Sequence, residues 1–517
     1  MNSVFPTLNS VFSSDRRIKL GIWGLGRGLN FVQSAAALNI DVVAGCDINP
    51  HMCENFRKMV PDAFVTKDED EFLAQDFDAV LIATYFRSHA AHTLKALASG
   101  KHVMCEVTSF FTPAEGVAVV EAVEKSGKVY HLLENYPFSR ENMYLRKLWQ
   151  EGFFGDFMYA EYDYVHECRT LSYAYNVDNG LPVEPGWTVH NWRSMLNSHY
   201  YNTHSLGPVM AITGLRPVMV SAMPDTVTLD GYLEGVMCAT AAPSLVKMSN
   251  GGVMRNLMGL TTNDYHTSGR IWGTKAGANK MEGLWICVGG CGGGITLPIK
   301  AEWPELAELA ESAGHGGGDF WELYYFAREI LTGEPGPWNV YSAADVVLTG
   351  IMAARSCARG GNVVEVPDFR KPEVREQFRH DEEYYWPKDF DAEHVFPEGH
   401  DRELTKNFTP TMTALFPMAQ QSGGIHLYNM VMQGIRLYPQ IADDAGRLRV
   451  IKATHRLLAE LPSLAEHCRM ARKIADAYPE CPAGKTLARL FREEDFAGME
   501  DTVGTSAKLR QWLDGVK

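Results

Sequence analysis

IKLGIWGLGRGLNFVQSAAALNIDVVAGCD, residues 18–47, decides the fold. The apolar run 18–23 is short enough for a buried strand and leads directly into three glycines, Gly24, Gly26 and Gly28. A helical stretch follows through Leu38, and VVAGCD (42–47) reads as a second strand ending on an acid. Strand, glycine turn, helix, strand and acid is the order of a dinucleotide-binding βαβ unit. Glycines in the turn let the backbone approach a pyrophosphate, which then sits on the helix N-terminus. Asp47 stands roughly twenty residues on, where an acid takes the ribose hydroxyls. The match to G-x-G-x-x-G is incomplete, because Leu29 holds the last position and Gly28 precedes it. A glycine turn alone, or a carboxylate alone, occurs in many α/β proteins; the two together imply a bound dinucleotide, with Arg27 inside the binding loop. NAD is expected rather than NADP. Asp47 repels a 2′-phosphate, and Ile48-Asn49-Pro50 offers no arginine to bind one.

Downstream, DAVLIAT (78–84), HVMCEV (102–107) and VYHLLEN (129–135) read as further buried strands, separated by helices over 89–99 and 113–126. Strands alternating with helices form βαβ units and a parallel sheet. After about residue 136 the texture changes. A helix (139–151) ends at Gly152 and Gly155, and FMYAEYDYVHE (157–167) alternates like a half-exposed strand. Strand candidates at 217–223, 235–240, 244–248, 256–262 and 269–273 suggest an open, mostly antiparallel sheet. The Gly-rich tracts 289–294 and 314–318 read as loops, and Asp319 with Glu322 as a capping box for the helix that follows. From about 371 the chain turns charged, with proline and aromatics mixed in, then mostly helical. Pro462 followed by Ser463 and Glu466 suggests a fresh helix start. The expected fold is therefore α/β in three units: a Rossmann domain (1–136), an open-sheet α/β substrate domain (137–370) and a mostly helical C-terminal extension (371–517). Tyr384, Tyr385, Trp386 and Phe390 need burial, so the extension is expected to pack on the body.

The 517 residues carry 48 Lys+Arg against 63 Asp+Glu, a net charge of −15. Such a surface repels phosphate backbones and anionic lipid, so neither nucleic acid nor membrane is expected as a partner. There is no apolar run of about 18 residues to span a bilayer. The first twenty residues lack the basic and apolar blocks of a signal peptide. Ten cysteines without a CxxC pair suit a reduced, cytoplasmic protein.

ATYFRSHAAHTLKALASGKHVMCEV (83–107) resembles the signature of the Gfo/Idh/MocA family: a strand ending in Ala-Thr, a His-containing turn, an Ala/Leu helix, then Gly-Lys-His-Val and Glu. Thr84, His89, Gly100, Lys101, His102 and Glu106 fall on that pattern, and the resemblance spans roughly 18–370. It implies a Rossmann domain joined to an open-sheet domain, and it adds Thr84, His89 and Glu106 to the cofactor-binding set of Gly24, Gly26, Arg27, Gly28 and Asp47. Typical dehydrogenases of the family read Glu-Lys-Pro where this chain has Glu106-Val107-Thr108. Without that lysine, ordinary net dehydrogenation is not expected. LLEN (132–135), YVHECR (164–169), WR (192–193), YNTHSLGP (201–208) and GHGGGDF (314–320) are similar in order and type to the NAD-dependent α-N-acetylgalactosaminidase branch, which shares the Glu-Val. Cys168, Asn202 and Ser205 depart from its closest form.

This second resemblance implies Glu134, Tyr164, Tyr201 and His204 as catalytic residues, with His166, Arg169, Trp192 and Arg193 binding substrate. The implied reaction is glycoside hydrolysis by transient C3 oxidation, C2 deprotonation, elimination and water addition on a resident NAD. The substrate would be a small glycoside or oligosaccharide, and the protein a homo-oligomer by analogy. The competing functions are a sugar or glycoside 3-dehydrogenase and a non-catalytic NAD-bound binding protein.

The residues themselves allow several roles. Glu134 ends a parallel strand, where ligands of open α/β sheets bind, or it pairs with Arg140 or Arg169. Tyr164 and His166 share one strand face. Tyr201 and His204 stand at a helix entrance. No metal is expected, since the histidines have no H-x₃-H or H-E-x-x-H spacing.

Overall fold

A computed structural model of the chain describes residues 11–166, 197–223, 227, 231, 241–259, 265–289, 294–303, 306–385, 396–417, 423–490 and 494–516. Arg169, Trp192, Arg193 and the strand candidate 235–240 lie outside the described residues.

The first sheet is built from β1 (Ile18–Trp23), β2 (Ile40–Cys46), β3 (Phe64–Thr66), β4 (Ala79–Ile82), β5 (His102–Glu106) and β6 (Tyr130–Leu133), in the order β3-β2-β1-β4-β5-β6. Every pairing is parallel. The strands are apolar on both faces because helices cover both, as a parallel sheet requires. The order reverses between β1 and β4, which opens a crevice at their carboxyl ends. Local chemistry sets the helix limits. Thr112 and Glu115 form a reciprocal capping box for Pro113–Ser126, and Gly127 closes that helix at φ 64°.

The second sheet adds β7 (Phe157–His166), β8 (Pro217–Ala222), β9 (Ala242–Met248), β10 (Val253–Gly259), β11 (Tyr265–Gly273), β12 (Ala276–Asn279), β13 (Leu284–Val288), β14 (Ile295–Ile299) and β15 (Val364–Glu365). Their order is β14-β13-β12-β11-β7-β10-β9-β8-β15. Among the described residues, β7 and β10 pair parallel and the other pairs are antiparallel. The helices Thr203–Thr213 and Val340–Ala358 cover one face. The other face exposes Leu245, Trp272 and Trp285. Strands β12–β14 give little signal in the sequence, because they are only four or five residues long and the edge strand β14 is exposed along almost its whole length.

Segment 371–385 is fastened to the body. Arg355 grips Asp381 at 2.6 and 2.7 Å, Arg379 pairs with Glu121 at 2.9 Å, and Arg375 pairs with Glu124 at 2.8 Å. From Phe396 onward the helices bury a separate core around Phe408, Leu427, Leu457, Leu461 and Leu487. This core touches the body where the Phe416 ring lies against Gly231, 2.6 Å from where a Cβ would stand. Pro462 does not restart a helix. Asp444–Ala477 is a single helix of 34 residues through it. Pro462 itself is exposed, while Leu457, Leu461, Leu464 and Cys468 bury a continuous stripe. That burial outweighs the loss of one backbone hydrogen bond. Among the described residues, no helix is long and apolar enough to cross a membrane.

Candidate active site

The glycine loop opens into the crevice between β1 and β4. Gly24 has φ 94°, and a Cβ there would fall 2.3 Å from the Ala83 carbonyl oxygen, so only glycine fits. Gly28 lies flat on the strand, where a Cβ would come 2.4 Å from Ile22 Cγ2. At Gly26 a Cβ would meet no atom within 4 Å, which leaves its backbone open to a ligand. One glycine makes the turn, one clears the approach and one packs helix on strand. All three tasks of the dinucleotide fingerprint are done, the last of them one residue early in the sequence. Asp47, just past β2, accepts the Leu25 N–H at 2.6 Å and the Asn49 N–H at 2.8 Å. Burial raises its pKa while the two amides oppose the shift. This loop and acid fit a dinucleotide: the glycines would face its pyrophosphate and Asp47 its ribose.

Several signature residues make hydrogen bonds within the protein. His89 is buried, with Nδ1 2.9 Å from the Thr108 carbonyl and Nε2 3.0 Å from the Thr84 carbonyl. Burial lowers its pKa, and a neutral imidazole carries a single N–H to share between the two oxygens. The Thr84 hydroxyl contacts His92 Nδ1 at 2.8 Å. Lys101 donates to the carbonyls of Gln75 and Phe77 at 3.0 and 2.7 Å, and His102 Nδ1 accepts the Val129 N–H at 2.9 Å.

Arg27 leaves the loop to bind protein. Its Nε donates to Glu106 at 2.8 Å, and both terminal nitrogens donate to Asp319 at 2.7 Å. The guanidinium also lies 4.5 Å from the Phe31 ring centroid. His315 Nδ1 reaches Asp319 at 3.0 Å. Burial works against the Asp319 charge, yet hydrogen bonds from Arg27 and His315 outweigh it and hold the carboxyl below the usual carboxylate range. The capping box expected of Asp319 and Glu322 does not form. The helix Gly318–Thr332 has Gly317 as its N-cap, without a side-chain cap. A bidentate arginine is the stronger claimant on the Asp319 carboxylate. Glu322 is buried, and neither of its oxygens has a hydrogen-bond partner.

Just beyond β6, Glu134 is fully buried and both its oxygens meet His204 Nδ1, at 2.8 and 2.9 Å. It also accepts the Tyr136 N–H at 3.1 Å. A carboxylate on Nδ1 selects the tautomer that carries its proton there and leaves the Nε2 lone pair free as a base. Three tyrosine rings surround the imidazole: Tyr136 and Tyr201 at 4.6 Å and Tyr164 at 4.7 Å between centroids. His166 follows along the same strand face, 5.9 Å from Tyr164.

Glu134, Tyr164, Tyr201, His204 and His166 thus come together, next to the end of β5 that carries Glu106. Four neighbours were missed in the sequence: Tyr136, His315, Asp319 and Glu322. Asp319 and Glu322 carried a helix-capping signal, and only the packing of their helix against Arg27 and β6 turns them toward the site. The GHGGGDF tract was the one available signal for His315.

Two stretches of the chain match known families. Residues 18–133 match the Gfo/Idh/MocA oxidoreductase family, NAD-binding Rossmann fold, and residues 300–376 match the glycosyl hydrolase 109 C-terminal domain. A glycosyl hydrolase family 109 protein of Stenotrophomonas maltophilia is 26% identical over 414 residues, covering 68% of this chain and 89% of that protein. An alpha-N-acetylgalactosaminidase of Tannerella forsythia is 26% identical over 420 residues, covering 69% and 87%. Among solved structures, levoglucosan dehydrogenase in complex with NADH and L-sorbose superposes with a TM-score of 0.57 at 19% identity, covering 69% of this chain and all of that one. The chain is thus similar to Gfo/Idh/MocA oxidoreductases over its NAD-binding Rossmann domain and to glycosyl hydrolase 109 proteins over residues 300–376.

Proposed function

We propose that this protein is a glycosidase that works with a bound NAD and returns it unchanged. The observation that carries this reading is the Glu134–His204 dyad, ringed by tyrosines, at the carboxyl end of a dinucleotide-binding sheet. The 109-family relatives and C-terminal domain support hydrolysis as the net reaction. Val107, at the position of the dehydrogenase lysine, supports it too. When bound, NAD supplies transient oxidation at sugar C3, which makes the C2 proton acidic. His204, oriented by Glu134, takes the proton of the C3 hydroxyl through Nε2. Tyr201 and Tyr164 stand beside it as the candidates for the C2 proton. A tyrosine titrates near pH 10 in water and acts as a base only beside a group that stabilises its anion, a role open to the neighbouring imidazole when protonated. His166, Arg169, Trp192 and Arg193 remain the proposed substrate contacts. The open sheet face with Leu245, Trp272 and Trp285 supports pairing with a second copy.

Two expected outcomes test this reading. Incubated with a panel of glycosides, α-N-acetylgalactosaminides included, the protein should release free sugar without added cofactor; accumulating NADH marks a 3-dehydrogenase, and neither product marks a binding protein. In D₂O the released sugar should carry deuterium at C2. No C2 deuterium together with no rate effect of deuterium at C3 overturns the redox route.

The cofactor should be NAD. Asp47→Ala is expected to weaken its binding roughly tenfold or more, the worth of a charged hydrogen bond. Tighter binding of NADP than NAD by the unaltered protein, measured by calorimetry, contradicts this.

A further inference from the structure

Glu322 has no place in the reaction outlined above. The helix that carries it starts hard against the end of β6, where a Cβ on Gly318 would stand 2.7 Å from the Asn135 carbonyl oxygen. Glu322 is one turn further on, at i+4 from Gly318 and i+3 from Asp319, so it shares the inward face of this helix. It is 3% exposed, and neither oxygen has a hydrogen-bond partner. Buried polar groups are nearly always partnered, and an unpartnered carboxyl is costly to keep.

The surroundings make the position stranger. Glu322 feels Asp319 on its own helix, Glu106 at the end of β5 and Glu134 beyond β6, all repelling a negative charge. The attracting group is Arg27 from the glycine loop, already bound to Glu106 and Asp319. His204 and His315 are hydrogen-bonded to Glu134 and Asp319. Three carboxyl groups, of Glu106, Asp319 and Glu322, therefore converge on one guanidinium, and Glu134 adds its repulsion at Glu322. Burial first, then Asp319 and Glu106, keep the Glu322 proton on well above the usual carboxylate range. An excess of acids at the carboxyl ends of the strands is built for a ligand that brings positive charge.

We propose that Glu322 is a titrating counter-charge for the nicotinamide ring: it keeps its proton while the ring is neutral and releases it to solvent when the ring is positively charged. This rests on the NAD reading above. A cation in a poorly solvated site favours the ionised form of a nearby carboxyl, and by linkage that carboxyl then favours the cation. The device would let one pocket hold the oxidised and the reduced cofactor with similar affinity, which suits a protein that keeps its cofactor through both states.

The test uses the full-length protein freed of nucleotide, titrated calorimetrically with NAD⁺ and with NADH in two buffers of different ionisation enthalpy. NAD⁺ binding should release up to about one proton more than NADH binding. NAD⁺ affinity should rise with pH, because the ionised acid binds the charged ring, while NADH affinity stays flatter. Glu322→Gln should remove the proton difference and shift the NAD⁺/NADH affinity ratio about tenfold against NAD⁺, within the range of such couplings. Equal proton counts for the two cofactors in the unaltered protein overturn the inference, as does a difference that survives in Glu322→Gln. The first comparison stands even if the variant fails to fold. If neither cofactor binds, the NAD reading fails and takes this inference with it; binding of both with equal proton counts removes the Glu322 inference alone.

Discussion

Turnover on the true substrate is expected to fall by about 10²–10⁴-fold when His204 is replaced by alanine, the usual worth of a positioned acid or base. The imidazole is held rigidly. Glu134 fixes Nδ1 from 2.8 and 2.9 Å, and tyrosine rings pack around it. Glu134→Gln should cost nearly as much without changing the packing volume. An amide can turn its NH₂ toward Nδ1, which moves the imidazole proton to Nε2 and removes the free lone pair. Tyr201→Phe should lower turnover as well, by removing one hydroxyl beside the imidazole. Circular dichroism and melting curves close to those of the parent protein separate lost chemistry from lost fold. Near-parental rates in both His204→Ala and Glu134→Gln would falsify the assignment of the dyad.

Arg27→Ala should destabilise the folded body by about 3–5 kcal/mol, the cost of stripping one partner from a buried ion pair. Asp319 is 1% exposed at its side chain and Glu106 13%, so both carboxylates stay buried when the guanidinium goes. A drop in the denaturant midpoint at unchanged slope measures the effect. Arg27→Ala combined with Asp319→Asn should recover part of the loss, because the double variant leaves one fewer unpaired charge. The interaction also carries a pH signature. Asp319 is held below its unfolded value of about 3.9, so its contribution is complete above that pH and is lost as pH falls toward the folded value. The stability gap between the parent protein and Arg27→Ala should narrow on acidification. A gap that does not change between pH 7 and pH 3 contradicts the arrangement.

The N-terminal sheet was legible because its signals are local. Apolar runs bounded by glycines and the spacing from Gly24 to Asp47 act within short stretches of chain, and a parallel strand buried on both faces leaves no pattern but apolarity. Strands β12–β14 were lost because they are only four or five residues long and the outermost is held mainly by its neighbour's backbone. Pro462 misled for the opposite reason. The local rule to break at proline was overruled by an apolar stripe spanning the whole 34-residue helix.

At the candidate site, the residue types at Glu134, Tyr164, Tyr201 and His204 could be picked out one by one, but nothing in the order of letters joins Glu134 to His204 across 70 positions. Arg27 reads as a residue of the glycine loop, and its contacts to Glu106 and to Asp319, 292 positions away, are set by the fold. Asp319 and Glu322 read as a helix cap and instead lie buried, Asp319 on Arg27 and His315 and Glu322 without a hydrogen-bond partner. The sequence by itself determined the elements, the glycine turn and the kinds of chemistry available, because propensity, capping and periodicity are properties of neighbouring residues. Which carboxylate holds which base, and which is left buried without a partner, was decided only by tertiary packing. Electrostatic and hydrogen-bonding energies depend on separation in space, and the fold alone sets that separation.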